Sequence, residues 1–148
     1  SVNIEDLEMS GGEGLGISAT AAIFDLSNVV IENSIVGEEG SAFSVTAEMM
    51  SGAVANTEVS GSTGDAVTFT LLATASHSDL LISHSLIADN LGSGVVVMGS
   101  SGDALLEIEN TILKGNENFA ISTQVPLQMN YLTLTENSAS IDYQKILE

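Results

Sequence analysis

The amino-acid sequence predicts an all-β fold, a parallel solenoid of about six rungs built from short strands. Three observations support this: a short apolar motif recurs every 20 to 28 residues, a second apolar alternation follows each copy, and polar turn residues separate the two. Period-2 alternation over a few residues is typical of short strands. A unit of this length cannot bury its own apolar face, so successive units must stack to form a core.

The first motif consists of an apolar residue, a polar residue and usually Asn, followed by a second apolar stretch. Its copies are Ile4–Met9, Ile31–Val36, Val54–Val59, Ile82–Ile87, Ile108–Leu113 and Gln128–Thr133. Equivalent positions of stacked strands lie about 4.8 Å apart, so we expect continuous inward stacks. One predicted stack comprises Ile4, Ile31, Val54, Ile82 and Ile108, and the other comprises Met9, Val36, Val59, Ile87 and Leu113.

The second alternation begins after a polar turn and often follows a Gly. Its copies are Leu15–Ile17, Phe43–Val45, Val67–Phe69, Val95–Val97, Phe119–Ile121 and Ala139–Ile141. Dipeptides such as Asp89-Asn90 and Gly115-Asn116 lie between the two motifs and are typical turn formers. Each unit is therefore predicted to contain a strand, a tight turn, a strand and a looser connection.

The pattern Ile-x-Asn-[Ser/Thr]-x-Ile/Leu, a turn with Asn and then Gly-apolar-x-apolar resembles the right-handed parallel β-helix repeat. This pectin-lyase-like family includes pectate lyases, polygalacturonases, phage tailspikes and many bacterial surface proteins. The resemblance covers residues 1–148 and implies a single right-handed parallel β-helix domain. Because the chain begins at Ser1, we expect it to be a segment of a larger protein. The fold hosts enzymes, adhesins and inert stalks, so the resemblance does not select one function.

The resemblance also implies a structural ladder, in which side-chain amides at one turn bond from rung to rung. The positions assigned to it are Asn33, Asn56, His84 and Asn110. An Asn at such a bend satisfies backbone groups. A structural role is therefore expected for His84. The second histidine lies in His77-Ser-Asp79, and this segment does not supply the three or four ligands that a metal site needs. The sequence predicts no metal site and no cofactor.

The charge balance excludes several classes of partner. The chain has 20 acidic and 2 basic side chains, a net charge of -18 and no Arg. Binding to nucleic acid or to an anionic membrane surface requires Lys and Arg, so both kinds of partner are excluded. In addition, no apolar run is long enough to cross a bilayer. Uronic-acid polysaccharides would be repelled, and the lack of Arg argues against lyase chemistry. Calcium could bridge outward glutamates, although a solvated acidic face is the favoured interpretation and no calcium-binding motif is present.

An apolar column on the outside of the solenoid is the most unexpected feature of the pattern. The position two after the ladder should face outward, yet it is occupied by Ile35, Leu86, Ile112 and Leu132. Exposed apolar columns are candidate interaction sites. Two explanations remain open: the column binds a partner, or a loop such as residues 99–105 covers it.

These observations favour a non-catalytic segment of a secreted or cell-surface bacterial protein, serving as a stalk, an adhesin or a carbohydrate-contacting surface. The alternative is a fragment of a neutral-polysaccharide glycoside hydrolase, which would need two carboxyl groups about 5 to 9.5 Å apart. The expected partners are a polysaccharide or a protein surface. Uncapped ends of a solenoid expose strand edges, so we also expect end-to-end self-association.

Overall fold

The computed structural model describes residues 1–13, 17–20, 23–37, 40–72, 77–99 and 103–143. Within these ranges the chain forms eighteen strands and no helix. Leu15 and the loop residues 100–102, which figure in the sequence-based expectations, lie outside the described residues, as do residues 144–148. No helix in the described part of the chain is long and apolar enough to cross a membrane.

The strands form three parallel sheets, and every third strand along the chain enters the same sheet. Sheet A contains β1 (Val2–Glu5), β4 (Ile23–Ser27), β7 (Ser51–Ala55), β10 (His77–Ser83), β13 (Asp103–Glu109) and β16 (Leu127–Asn130). Sheet B contains β2 (Glu8–Glu13), β5 (Val30–Ile35), β8 (Glu58–Ser60), β11 (Leu86–Ala88), β14 (Ile112–Lys114) and β17 (Thr133–Thr135). Sheet C contains β3 (Ile17–Thr20), β6 (Ser41–Ala47), β9 (Asp65–Leu71), β12 (Val95–Met98), β15 (Phe119–Thr123) and β18 (Ala139–Tyr143).

This arrangement confirms the predicted all-β parallel solenoid. The first sequence motif is not one strand, because a corner divides it between two sheets: Ile82 lies on β10 and Ile87 on β11. The second alternation supplies sheet C, as Val67, Val95 and Ile121 pair in register. Each repeat thus contributes three strands, one to each sheet.

The predicted inward stacks are wrong at Ile31 and Val36. Leu26 of β4, rather than Ile31, lies between Ile4 and Val54 on sheet A. Ile31 instead joins the sheet B column between Met9 and Val59, and Val36 follows the end of β5. The sequence Phe24-Asp-Leu26-Ser-Asn28 has the same apolar alternation ending in Asn as the motif at Ile31. From the sequence alone, either of these two neighbouring segments fits the same position in the repeat.

Complementary side-chain volumes fill the core near the N-terminal end. Phe24, Phe43 and Phe69 form a cluster in which the Phe24 and Phe69 rings stack with centroids 5.5 Å apart. Gly52 pairs with Phe24 across sheet A, and a Cβ built at Gly52 would meet the Phe24 ring and its carbonyl oxygen. The absence of a side chain at Gly52 therefore makes room for the Phe24 ring.

We expect Gly52→Ala to lower the free energy of unfolding by about 1–3 kcal/mol, because overpacking a dense core forces its neighbours to move. Urea denaturation followed by circular dichroism measures the change. Ser51→Ala is the matched control: Ser51 is an exposed neighbour on the same strand, and its replacement should change stability by less than about 0.5 kcal/mol. Equal stability of Gly52→Ala and the parent chain would contradict this account of the core.

Candidate functional site

Residues with left-handed backbone conformation mark the corner between sheets A and B. They are Asp6, Asn28, Asn56, His84, Asn110 and Tyr131, with φ between 46° and 54°. The backbone N–H of the first five of these corner residues donates to a carbonyl of the next repeat, as in Asn56 N–H to Ser83 O at 3.1 Å and His84 N–H to Glu109 O at 3.1 Å. Asn tolerates this conformation better than most residues, which explains its recurrence here.

The structure places three of the four predicted ladder residues at this corner and the fourth elsewhere. Asn56, His84 and Asn110 share the position, and their side chains are exposed. Asn33 belongs to the next corner, between sheets B and C, where it is equivalent to Gly61, Asp89, Gly115 and Glu136. Asn28 occupies the position that the sequence analysis gave to Asn33. Both corners require a left-handed residue, so an Asn alone does not distinguish them.

The hydroxyl residues that follow this first corner form a buried ladder of their own. The Thr57 N–H donates to Ser85 Oγ at 3.2 Å, and the Ser85 N–H donates to Thr111 Oγ1 at 3.4 Å. Each hydroxyl in turn donates to the carbonyl two residues earlier, at 2.7 to 2.9 Å. The Ser/Thr of the Asn-[Ser/Thr] motif therefore links successive repeats.

An amide ladder does exist, at the corner between sheets B and C. Asn90 Nδ2 donates to Asn116 Oδ1 at 2.9 Å, and Asn116 Nδ2 donates to Asn137 Oδ1 at 2.8 Å. The same amides donate to backbone carbonyls: Asn90 to Val59, Asn116 to Ile87 and Asn137 to Leu113. Asn90 and Asn116 are fully buried. The sequence feature that could have predicted this amide ladder is the repeated dipeptide of a turn residue and Asn. It was interpreted above only as a turn.

The predicted outward apolar column is not continuous. Leu86 and Ile112 pair on the outer face of sheet B, but their neighbours are Glu58 on one side and Thr133 on the other. Ile35 is 47% exposed at the end of β5, where it pairs with Glu13. Leu132 packs against the core at a corner. The misassigned register at Asn33 displaced Ile35. At the last repeat the corner residue is Tyr131, so Thr133 rather than Leu132 occupies the column position and pairs with Ile112.

The two histidines are surface residues. His77 Nε2 lies 2.9 Å from Asp79 Oδ2, and both side chains are more than half exposed. His84 is exposed at its corner. Within the described ranges, no group of three or more His, Cys, Asp and Glu side chains is arranged to hold a metal ion.

A groove of about 480 Å³ crosses the outer face of sheet A from β4 to β13. Its floor is apolar, and its lining includes three carboxylates. The apolar residues that line it from outward positions are Ile23, Ala53, Leu81 and Leu105, and the carboxylates are Asp25, Asp79 and Glu107. The row Asp25, Ala53, Leu81 and Glu107 runs straight across four paired strands. This groove was not predicted from the sequence, although outward Leu81 and Leu105 break the polar alternation of their strands.

Hydrogen bonds hold one carboxylate of the groove in place. Glu107 Oε1 accepts from Gln128 Nε2 at 3.2 Å and from Asn130 Nδ2 at 3.3 Å. Asp79 is engaged by His77, as described above. The groove is lined by three carboxylates and by no Lys or Arg, so its electrostatic potential is negative. The groove therefore combines an apolar floor with oxygen acceptors and suits a ligand that is uncharged or cationic.

Comparison with known proteins gives one match. A family model described as right handed beta helix region matches residues 1–139. No curated protein and no solved structure matches the chain.

We expect Asn116→Ala to lower the free energy of unfolding by about 2–4 kcal/mol, because it leaves buried amide, N–H and carbonyl groups without partners. Urea denaturation measures this. Asn110→Gly is the control, since Asn110 is exposed and Gly adopts a left-handed conformation freely. The control should lie within about 0.5 kcal/mol of the parent chain. Similar losses at both positions would contradict the assignment of the amide ladder to Asn116.

Proposed function

The chain belongs to the right-handed β-helix family, and on this premise we propose that it is a non-catalytic β-helix repeat segment of a secreted or cell-surface bacterial protein. In this proposal it serves as a stalk or adhesin whose sheet A groove contacts neutral carbohydrate. The observation that carries the proposal is the groove itself, in which an apolar floor and carboxylate acceptors lie on one face of a regular scaffold.

The regularity of the scaffold supports the stalk role. Adjacent strands of each sheet pair residue for residue, and buried ladders reinforce two corners. A solenoid of this kind transmits its shape from one repeat to the next, because each repeat contacts only its neighbours. Such a scaffold holds an outer face at a fixed distance from an attachment point.

The chemistry of the groove supports a neutral carbohydrate ligand. Ionised carboxylates only accept hydrogen bonds, and sugar hydroxyls donate them. The aliphatic floor formed by Leu81 and Leu105 suits the apolar faces of sugar rings, whereas the net charge of -18 repels uronic acids. The acidic surface and the lack of Cys agree with an extracellular, salt-containing medium and with a fold that needs no disulfides.

A glycan array probed with the purified chain, with and without calcium, tests the carbohydrate contact. We expect binding to a neutral glycan class, and Asp79→Asn or Leu81→Ala should weaken it by roughly tenfold or more, as for the loss of one charged hydrogen bond or one apolar contact. Leu91→Ala, which removes an exposed apolar side chain at another corner, should bind normally.

A blank array would contradict the carbohydrate contact and leave the stalk role standing alone. The apolar pair Leu86 and Ile112 on sheet B would then be the proposed surface for a protein partner. Binding that survives both groove substitutions would place the carbohydrate contact outside the groove.

One observation favours the enzyme alternative. Asp79 pairs with Leu105, so Glu107 lies diagonally across from Asp79 on the neighbouring strand. Strand spacing and rise put the two Cα atoms roughly 8 Å apart. Both side chains line the groove on the outer face of the sheet, and an inverting glycoside hydrolase needs its two carboxyl groups about 6.5–9.5 Å apart. A neutral-polysaccharide hydrolase using this pair is therefore the second candidate.

Release of reducing sugar from neutral polysaccharides tests the enzyme alternative. If the pair is catalytic, Asp79→Asn and Glu107→Gln should each lower the rate by about 100-fold or more. Asp103→Asn, which removes an exposed carboxylate from the same sheet, should leave the rate unchanged. No release of sugar, or an equal effect of all three substitutions, would reject this alternative.

A further inference from the structure

The outward row that crosses the groove continues over the strands of sheet A from β1 to β16, and its order is symmetrical. An amide, a carboxylate, two apolar residues, a carboxylate and an amide follow one another: Asn3, Asp25, Ala53, Leu81, Glu107 and Gln128. The two carboxylates of the row therefore lie at the two ends of an apolar centre. This order favours an elongated ligand that is apolar in the middle and charged at both ends.

The spacing of the two carboxylates sets the length of such a ligand. Asp25 and Glu107 are three strand spacings apart, so their Cα atoms are separated by about 14 Å. A hydrogen bond from an ammonium group to a carboxylate takes up about 2.8 Å at each end. A ligand that reaches both carboxylates therefore needs two positive charges roughly 9–14 Å apart.

Both carboxylates have an oxygen available to a ligand. Glu107 uses Oε1 for its bonds with Gln128 and Asn130, so these bonds hold the side chain in place and leave Oε2 for a ligand. The Asp25 side chain is exposed. Lys114, the lysine in the described part of the chain, lies on sheet B, and the chain has no Arg. Within the described ranges, a lysine or arginine therefore neutralises neither carboxylate.

The surface between the two carboxylates is apolar. Ala53 and Leu81 lie in the row itself, and Ile23 and Leu105 line the groove beside it. Methylene groups laid over these aliphatic side chains are removed from water, which favours binding. Asp79 lies beside the middle of the row and adds a negative charge there, where a polyamine carries its inner nitrogen atoms.

We propose that the groove on sheet A binds an extended aliphatic diamine or polyamine across its strands. One terminal ammonium group donates to Asp25, the other donates to Glu107, and the methylene chain lies over Ala53 and Leu81. Charge complementarity selects a dication of this kind over an anion. The inference goes beyond the proposed carbohydrate contact: it uses the same groove but does not require that a sugar binds there.

Amines that differ in length at constant charge test the proposal. Isothermal titration calorimetry at low salt compares 1,8-diaminooctane with 1,4-diaminobutane, which both carry two positive charges at neutral pH. We expect the longer diamine to bind about tenfold more tightly or better, because it reaches both carboxylates and covers more of the apolar surface. Since the end contacts are exposed ion pairs, its affinity should fall as salt is added.

A monoamine of the same chain length separates the second charge from the apolar contact. 1-Aminooctane covers the same surface but carries one ammonium group, so we expect it to bind about tenfold more weakly than 1,8-diaminooctane. Asp25→Asn and Glu107→Gln each remove one end charge with little change in size. Each should lower the affinity for 1,8-diaminooctane to about that of the monoamine.

The matched control is Asp89→Asn. It removes the same charge from an exposed residue at the corner between sheets B and C, and Asn adopts the left-handed conformation of this position. This variant should bind 1,8-diaminooctane as the parent chain does. Circular dichroism spectra and melting curves confirm that each variant is folded before its affinity is interpreted.

Three results would overturn the proposal. Equal affinity for the two diamines would show only the general attraction of cations to an acidic protein. Equal affinity for 1-aminooctane and 1,8-diaminooctane would show that the second carboxylate is not used. An equal loss in Asp89→Asn and the two groove variants would place the binding elsewhere.

The glycan array separates the failure of this proposal from the failure of the carbohydrate contact. A blank array together with the expected dependence on amine length and on Asp25 and Glu107 would reject the sugar contact and support the diamine site. Binding of a neutral glycan together with equal affinity for all three amines would support the sugar contact and reject the diamine site.

Discussion

The register of parallel pairing is the constraint on which the rest of this structure depends. In each sheet a residue lies directly above and below its equivalents, about 4.8 Å away. A position on the inside must therefore be apolar in every repeat, and a polar group at a corner must find its partner in the next repeat. The columns through Val54 and Val59 satisfy the first requirement. The hydroxyl and amide ladders satisfy the second.

Much of this arrangement follows from the sequence, because equivalent positions in successive repeats of a stacked fold require the same kind of side chain. The strands of sheet C and the repeats around Ile82 and Ile108 were predicted on this basis, and the structure agrees. The prediction failed at Asn33. Two different corners need a left-handed residue, and Asn suits both, so the motif around Ile31 mimics the one that begins at Phe24.

The candidate groove was harder to predict because outward positions are not constrained by stacking. Their neighbours in the column do not need to match, as the row Asp25, Ala53, Leu81 and Glu107 illustrates. Sequence periodicity identifies which side chains face outward. It does not show that this row lines one groove, since that depends on the exact alignment of four strands, and its first and last residues, Asp25 and Glu107, lie 82 residues apart along the chain.

The fit of Phe24 over Gly52 has a consequence for how a repetitive chain avoids mispairing. Successive repeats are similar enough that a strand could pair with the repeat beyond its proper neighbour. A shift by one repeat would bring Phe24 against Leu80 in place of Gly52, and the buried Leu80 side chain would then collide with the Phe24 ring. The glycine therefore favours pairing of the strand that contains Phe24 with its proper neighbour over pairing with the repeat beyond it.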